Sequence, residues 1–530
     1  MKKTLLLLSY MTLSWVFFAQ HPNIVVDDSG GADEPSITMD INNPARMVAG
    51  TNISNVYYSK DTGRTWTKII QSSSFGVWGD PVMACDTEGA FYHLHLSNPN
   101  DGSWIDRIVC QKSTDGGKTW NNGSFTGLNG TKNQDKHWVT IDRKTNAIYC
   151  TWTQFDHYES RNPQDSSNIM FSKSKDGGQT WTPPKRINER AGDCLDDDNT
   201  TEGAVPAMGL NGEVYVTWAG PAGLAFDRSM DGGETWLNKD IKIADIGGGW
   251  TYDIPGIYRC NGLPITVFDT SQSPNRGTIY VNWSDQKNGE TNTDIWLSKS
   301  TDGGNTWSTP KKVNDDKSNR HQFMTWMTVD QANGNLWFVY YDRRNFTSDS
   351  TDVYMAFSRD GGETFQNFKV SQTPFLPNKN AFFGDYTNIV AYNNIVRPIW
   401  TAMNPAGKKT VFTALVNTQL YTATRELNAD TAWGTVMKKD IIKTLCYPNP
   451  VDNQLIIQFE LKNAMKLCLK IFDTTGKMIA EVFKKKEFSE GKNEHIIDIQ
   501  SLKLPAGIYT YLIENKRGKD LAVNKFVVAR

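Results

Sequence analysis

Short runs in which apolar and polar residues alternate recur along most of the chain. Residues 138–142, 147–152 and 168–172 form three such runs in succession, rich in β-branched and aromatic side chains. A period of two places alternate side chains on opposite faces of a strand, so the runs predict three consecutive β-strands, which we label A, B and C. A fourth strand, D, is predicted to begin at the tryptophan that follows strand C.

The same order of strands repeats along the chain. Strands A, B and C recur near Pro206, Val216 and Ala225, near Pro264, Ile279 and Ile295, and near Phe323, Leu336 and Val353. A last unit has strands at 386–390, 396–400 and 410–415. We expect its fourth strand to be 23–26, because pairing the two ends would remove open sheet edges. The pattern therefore predicts an all-β protein with seven strand units.

An eight-residue motif, Ser-x-Asp-x-Gly-x-Thr-Trp, follows strand C in six places. It occupies 59–66, 113–120, 174–181, 229–236, 300–307 and, with Phe in the last position, 358–365. Successive copies begin 54, 61, 55, 71 and 58 residues apart. Repeats of this length with four strands each are typical of a β-propeller. The Asp accepts hydrogen bonds from turn amides and the Gly permits positive φ, so we assign the motif to the scaffold.

The two ends of the chain differ from the repeats. Residues 1–19 have a basic start and an apolar run, which predicts a signal peptide. The propeller is predicted over 20–417 and a polar linker over 418–443. Short alternating strands over 444–530 predict a small C-terminal β-sandwich. No later segment approaches 18 apolar residues, so no transmembrane segment is expected.

Composition and charge narrow the function classes. The chain has 530 residues, and its 18 Trp and 42 Gly suit many short strands joined by tight turns. A formal net charge of -2 gives no reason to expect nucleic acid or an anionic membrane as a partner. The seven cysteines include no Cys-x-x-Cys pair, which favours buried single thiols over a metal site. Because export is expected, disulfide formation remains possible.

A propeller concentrates functional residues on one face. Strand A lines the central channel, and the D–A and B–C connections lie opposite the Ser-x-Asp turns, so we expect a site just before strand A and just after strand B. The charged and aromatic candidates at these places are Asp80, Asp135, His137, Glu202, Tyr258, Arg259, Arg320, Asp342, Arg343, Asp385 and Tyr386.

The six motifs are Asp boxes, and the segment of roughly 35–370 resembles the sialidase superfamily. The resemblance implies a secreted exo-glycoside hydrolase. It implies that Arg259, Arg320 and Arg343 clamp a substrate carboxylate. Tyr386 beside Asp385, or Tyr258 beside Arg259, would be the nucleophile. Asp80 or Asp135 would be the general acid and Glu202 the base, with His137 and Asp342 in contact with substrate.

The chain departs from that superfamily in two respects. The Phe/Tyr-Arg-Ile-Pro motif is missing near the start of the repeats, and Tyr258-Arg259-Cys260 is only a partial echo of it. Sialidases have six blades, so six is the alternative to seven. A non-catalytic propeller that binds glycans or proteins is the alternative function, and a polysaccharide lyase is a third.

The last 85 or so residues resemble the C-terminal sorting domain of type IX secretion. The matching segments are Tyr-Pro-Asn-Pro at 447–450, Lys-Ile-Phe-Asp-Thr-Thr-Gly-Lys at 470–477, 504–513 and Lys-Phe-Val-Val at 525–528. The resemblance implies export through the periplasm and outer membrane, to the medium or the cell surface. The secretion machinery is then an expected partner.

The expected cofactors and remaining partners are few. Asp193 and the run 196–199 near Glu202 supply acidic oxygens that suit Ca²⁺, although the spacing of an EF-hand is missing. No other cofactor is expected. A glycan or glycoprotein is the expected substrate, and the protein is expected to be a monomer.

Overall fold

The structure is a computed structural model that describes residues 21–418, 421, 441–447, 451–473, 478–515 and 520–528. The predicted signal peptide at 1–19, most of the predicted linker, and parts of the 447–450 and 470–477 motifs lie outside these residues. Two compact units divide between Leu420 and Tyr421. Every named element is a β-strand, so the all-β prediction is confirmed.

The first unit contains seven four-stranded antiparallel sheets among its described residues. Its first strand, β1 (Asn23–Gly30), belongs to the last sheet. The next three sheets are β2 (Ser36–Met39), β3 (Met47–Thr51), β4 (Asn55–Ser59) and β5 (Thr67–Ile70); β6 (Val82–Cys85), β7 (Phe91–Leu96), β8 (Ile108–Ser113) and β9 (Ser124–Thr126); and β10 (Asn133–Ile141), β11 (Ile148–Phe155), β12 (Ser167–Ser174) and β13 (Lys185–Arg186).

The fourth sheet is β14 (Glu202–Met208), β15 (Val214–Gly220), β16 (Gly223–Ser229) and β17 (Ile241–Ala244). A two-stranded ribbon of β18 (Thr251–Tyr252) and β19 (Cys260–Asn261) follows. The last sheets are β20 (Ile265–Phe268), β21 (Ile279–Asp285), β22 (Asp294–Ser300) and β23 (Lys311–Lys312); β24 (Gln322–Asp330), β25 (Asn335–Asp342), β26 (Asp352–Ser358) and β27 (Gln366–Lys369); and β28 (Asn388–Tyr392), β29 (Ile395–Met403) and β30 (Lys409–Ala414) with β1.

The seven sheets are arranged in a ring. Each inner strand contacts the inner strand of the next sheet, and β28 contacts β2. The prediction that the N-terminal strand completes the last sheet is confirmed, because Ile24 pairs with Thr413 across β1 and β30. The second strand of five sheets carries a fully buried tryptophan: Trp152, Trp218, Trp283, Trp337 and Trp400. Trp218 and Trp283 belong to hydrophobic clusters that combine residues of two neighbouring sheets.

The Asp boxes form the turns between the third and fourth strands. In the box at 174–181 the Ser174 hydroxyl donates to Asp176 Oδ1 (2.8 Å), and the Thr180 amide donates to the same oxygen (2.9 Å). Gly178, with a φ of 77°, donates its amide to Ser174 Oγ. The strands are antiparallel, so these turns lie at the opposite end of each sheet from the D–A and B–C connections.

The second unit packs two sheets face to face. One contains β31 (Ile441–Tyr447), β32 (Gln454–Leu461) and β35 (Gly491–Asp498); the other contains β34 (Met478–Phe488), β33 (Met465–Phe472), β36 (Gly507–Asn515) and β37 (Asp520–Val528). Leu455 and Ile457 of one sheet share a buried core with Leu469 and Tyr511 of the other. This is the β-sandwich that the sequence predicts. The described residues include no helix with the length and apolarity needed to cross a bilayer.

Candidate functional site

The starts of several inner strands share an unusual backbone conformation. Glu34, Asp80, Lys136 and Met324 have φ between 46° and 49°, the left-handed region that non-glycine residues rarely occupy. In β10 and β24 the ladder shifts register at this point. A non-glycine residue in this region costs on the order of 1–3 kcal/mol, and such residues cluster at functional sites. Glu34, Asp80 and Lys136 belong to three successive sheets, and this conformation brings their side chains to the mouth of the channel.

Asp385 is the centre of an ion-pair network at this mouth. Lys136 Nζ lies 2.9 Å from Asp385 Oδ2 and 3.4 Å from Asp80 Oδ2. Arg259 donates from Nε to Asp385 Oδ1 (2.8 Å) and from Nη1 to Asp196 Oδ2 (3.2 Å). Burial alone would raise the pKa of Asp385, but the two cations hold that pKa well below its ordinary value. Asp385 is therefore a fixed anion.

Glu34 and Asp80 form a carboxyl pair with divergent proton affinities. Glu34 is buried and accepts hydrogen bonds from Asn52 Nδ2 (2.5 Å) and the Asp385 amide (3.1 Å). Burial, reinforced by the charges of Asp80 and Asp385, raises the pKa of Glu34 well above its ordinary value. Burial also acts to raise the pKa of Asp80, but Lys136, the hydrogen bond with Glu34 and the nearby His137 together bring that pKa below its ordinary value. A proton on Glu34 thus lies beside an ionised Asp80.

Glu202, Asp196 and Asp135 form a second group of carboxyls. Burial and then Asp196 raise the pKa of Glu202 well above its ordinary value. Neither Glu202 oxygen has a donor among the described residues, so a proton on Glu202 itself is what allows it to lie beside Asp196. Burial raises the pKa of Asp135 to about 7, against the opposing effect of Lys136. We call Glu34, Asp80, Asp135, Asp196, Glu202 and Asp385 the carboxyl cluster.

An aromatic wall closes one side of the cavity beside the cluster. The Tyr386 ring lies 5.1 Å from Trp138, which in turn lies 4.3 Å from Trp326. These three rings line the cavity together with Lys136, Asn261 and Asp385. The Tyr386 hydroxyl is buried and has no hydrogen-bond partner among the described residues. Burial and the nearby Asp80 raise its pKa, so the phenol keeps its proton and has a free donor.

The three predicted clamp arginines differ in their surroundings. Arg259 is paired with Asp385 and Asp196, as described above. Arg343 is 0% exposed, and its Nε donates to Thr351 Oγ1 (3.0 Å), while its Nη1 lies 3.5 Å from Asp349 Oδ1. Arg320 Nη2 donates to the Ser348 carbonyl (2.9 Å). The contacts of Arg320 and Arg343 are thus to the segment 348–351, and those of Arg259 to the carboxyl cluster.

The other predicted residues lie around these groups. Asp342 accepts from Arg344 Nε (2.8 Å) at the end of β25. His137 is buried, and burial lowers its pKa to about 4, which makes it a neutral imidazole. Tyr258 is 57% exposed with its ring edge on Phe382, over which Arg259 also stacks.

The acidic run near Glu202 has acceptor roles of its own. Asp193 accepts from the Thr200 hydroxyl (3.0 Å), Asp198 from the Thr251 amide (2.8 Å), and Asp196 from the Tyr158 hydroxyl (2.6 Å). Across the described ranges, no group of three or more His, Cys, Asp or Glu side chains is placed to hold a metal ion.

Glu34 and Lys136 are not among the candidate residues predicted from the sequence. Glu34 comes two residues before β2, as Asp80 comes two residues before β6. Aligning the starts of the inner strands would therefore have found Glu34. No Asp box precedes β2, which is why the repeat pattern did not point to it.

Two family descriptions match separate parts of the chain. A BNR repeat-like domain matches residues 277–384, and a secretion system C-terminal sorting domain matches residues 445–529. A sialidase of Bacteroides fragilis (strain YCH46) is 24% identical over 200 residues, which cover 34% of this chain and 36% of that protein. The chain therefore matches little more than a third of the length of that relative.

Solved structures are similar in fold. The Hadza microbial sialidase Hz136 has 14% identity and a TM-score of 0.40, with 70% of this chain and 74% of that one covered. A PL25 ulvan lyase has 13% identity and a TM-score of 0.46, with 74% and 96% covered. The predicted resemblance is confirmed at the level of a sialidase-like BNR fold with a type IX secretion sorting tail. That tail indicates export to the medium or the cell surface.

Proposed function

We propose that this protein is a secreted glycoside hydrolase whose proton transfers are performed by the carboxyl cluster. The observation that supports the proposal is the Glu34–Asp80 pair, in which neighbouring carboxyls have pKa values shifted in opposite directions, next to Lys136, which lines the aromatic-walled cavity. Carboxyls whose environments separate their pKa values in this way are typical of acid and base pairs in enzymes.

The proposed roles follow from charge and burial. Asp80 delivers the proton held with Glu34 to the oxygen of the leaving sugar as the glycosidic carbon–oxygen bond breaks. Asp135, whose pKa of about 7 suits a general base, takes a proton from the water that attacks the anomeric carbon. Tyr386 donates its free hydroxyl hydrogen to the bound sugar, and Asp385 holds Lys136 and Arg259 in position.

The charge balance favours a neutral sugar. Glu34 and Glu202 keep their protons, but in the described part of the chain the only cations paired with the other carboxyls of the cluster are Lys136 and Arg259, and both already contact Asp385. Arg343 is fully buried, and Arg259 is already paired with Asp385 and Asp196, so neither is free to bind a substrate carboxylate. An acidic sugar would meet net negative charge, whereas Trp138, Trp326 and Tyr386 give the cavity an uncharged wall that suits a neutral sugar.

A panel of fluorogenic glycosides tests the activity. We expect hydrolysis of at least one neutral glycoside, with a loss of about a hundredfold or more in kcat/KM for Asp80→Asn, Glu34→Gln and Asp135→Asn. The control is Asp245→Asn, whose side chain is 88% exposed, and it should behave as wild type. Absence of turnover on every glycoside, or variants as active as wild type, would refute the proposal.

The same panel includes a sialic acid glycoside. If the sialic acid glycoside is hydrolysed faster than every neutral glycoside, the proposed preference for neutral sugars is wrong. The conclusion that the arginines do not bind a substrate carboxylate is then wrong as well.

A further inference from the structure

Two exposed tryptophans lie on the same face as the carboxyl cluster. Trp78 is 39% exposed and Trp104 is 40% exposed, with ring centroids 6.5 Å apart and planes at 88°. Trp104 in turn contacts Tyr158 edge-on, at 5.6 Å. We call Trp78, Trp104 and Tyr158 the aromatic strip. Its members come from the D–A connection before β6 and the B–C connections after β7 and β11.

The aromatic strip is continuous with the candidate site. The Tyr158 hydroxyl donates to Asp196 Oδ2 (2.6 Å), and Asp196 pairs with Arg259 (3.2 Å). At the other end of the strip, Trp78 precedes Asp80 by two residues in the chain. A ligand bound at the carboxyl cluster can therefore extend over the strip, because the two groups of residues adjoin one another.

Hydrogen bonds hold the strip in place before any ligand binds. The Trp78 amide donates to the Leu96 carbonyl (2.9 Å). Asn133 links the two B–C connections, since its Nδ2 donates to the Trp104 carbonyl (3.0 Å) and its Oδ1 accepts from the Tyr158 amide (3.0 Å). Aromatic rings fixed in this way bind a ligand with little loss of conformational entropy.

The surroundings of the strip favour a sugar chain over an apolar partner. The connection that carries Trp104 also contains Asn98, Asn100, Asp101 and Ser103 at exposed or half-buried positions, so hydrogen-bonding groups accompany the exposed indole. A hydrophobic protein interface needs a larger continuous apolar area than two indoles. A sugar ring, in contrast, presents an apolar face of C–H groups to an aromatic ring and hydroxyls to its polar neighbours.

We propose that the aromatic strip is a binding subsite for a neutral glycan chain whose terminal unit occupies the cavity beside the carboxyl cluster. The position of that terminal unit depends on the proposed hydrolase function, but binding along the strip does not. The substrate is then an oligosaccharide or polysaccharide, not a single sugar on a small aglycone.

Binding without turnover tests the strip directly. The probes are tetrasaccharides of glucose, mannose, galactose and arabinose, each with its methyl monosaccharide, titrated by calorimetry into the full chain carrying Asp80→Asn. We expect at least one tetrasaccharide to bind, and Trp78→Ala or Trp104→Ala to raise its Kd by about tenfold. Trp78→Phe and Trp104→Phe should recover most of the affinity, because a flat ring remains.

Matched controls and opposing outcomes keep the test decisive. Met230→Ala, which removes an exposed apolar side chain within the Asp box at 229–236, should leave the Kd unchanged. Failure of every tetrasaccharide to bind, equal affinity in the tryptophan variants, or equal losses for the monosaccharide would overturn the proposal. Tetrasaccharide binding that depends on the strip, without hydrolysis by wild type, would refute the hydrolase function and leave the strip standing.

Discussion

The buried ammonium group of Lys136 lies among carboxylates, and the backbone of this residue has a strained conformation. Its neighbours Asp135, Asp385 and Asp80 raise its pKa well above the ordinary value although burial acts in the opposite direction. The surrounding carboxyls together outweigh desolvation, so Lys136 keeps its charge at a position where φ is 46°. The charge state of the whole cluster depends on this residue.

Replacing Lys136 by Met should destabilise the first unit strongly. The substitution leaves Asp80 and Asp385 buried with less compensation, and breaking a buried pair from one side typically costs about 3–5 kcal/mol. Urea unfolding followed by tryptophan fluorescence measures the loss. Lys242→Met is the control, because Lys242 forms a surface pair with Asp245 and should change the free energy of unfolding by less than about 1 kcal/mol. Equal effects of the two substitutions would contradict the assigned role of Lys136.

At the scale of single elements, β7 is notable for burying two imidazoles. His93 and His95 lie on the same strand with ring centroids 4.9 Å apart. His137 of β10 acts on both electrostatically. Burial lowers the pKa of His95 and of His137 to about 4, so the packing between these strands requires neutral rings.

Acid should therefore destabilise the packing between β7 and β10. The folded pKa of His95 lies below the unfolded value of 6.5, so its contribution is complete above pH 6.5 and is lost as the pH falls towards 4. Over this window the protonation of His95 alone lowers the free energy of unfolding by about 3 kcal/mol. The raised pKa values of Glu34, Glu202 and Asp135 act in the opposite sense, so the variant must be compared with wild type at each pH.

The measurement is urea unfolding of wild type and His95→Gln between pH 4 and 8. The stability of His95→Gln relative to wild type should rise as the pH falls below 6.5. His157→Gln, at a side chain that is 65% exposed, is the control and should follow wild type. A constant difference between His95→Gln and wild type across the range would show that His95 does not couple folding to protonation.

At the scale of the whole molecule, the ring depends on pairing between its two ends. β1 pairs with β30 from Asn23 to Gly30, and Val26 of β1 is buried with Val411 of β30 and Ile399 of β29. Without β1, the edge of β30 would expose unpaired backbone groups, which favour association between molecules.

Val26→Asp should therefore lower the Tm of the first unit and promote aggregation. A buried, unpaired carboxylate costs several kcal/mol, enough to detach a short strand. Val25→Asp is the matched control, since Val25 is 48% exposed one position earlier on the same strand. Calorimetry and size-exclusion chromatography measure the two effects. Similar behaviour of the two variants would show that β1 does not hold the ring closed.

The sequence predicted much of the fold and less of the site. The strands around each Asp box, the pairing of 23–26 with the last unit and the C-terminal sandwich are all present. Among the site predictions, Asp80, Asp135, Glu202, Arg259, Asp385 and Tyr386 lie in or beside the carboxyl cluster, whereas Arg320 and Arg343 contact the segment 348–351. Catalytic and binding roles for these residues remain predictions.

The sequence by itself determined the repeating scaffold, because each Asp box makes its hydrogen bonds within eight residues and so carries its structure in the local pattern. Only the tertiary structure decided which charges meet. The Asp385 amide donates to Glu34 across 351 positions of the chain, and Arg259 reaches Asp385 across 126. Such contacts depend on ring closure and on the backbone conformation at the starts of the inner strands, where β10, β14 and β24 carry bulges. Alternation of apolar and polar residues sets the face of a side chain, but it does not encode the partner that the side chain finds in another sheet.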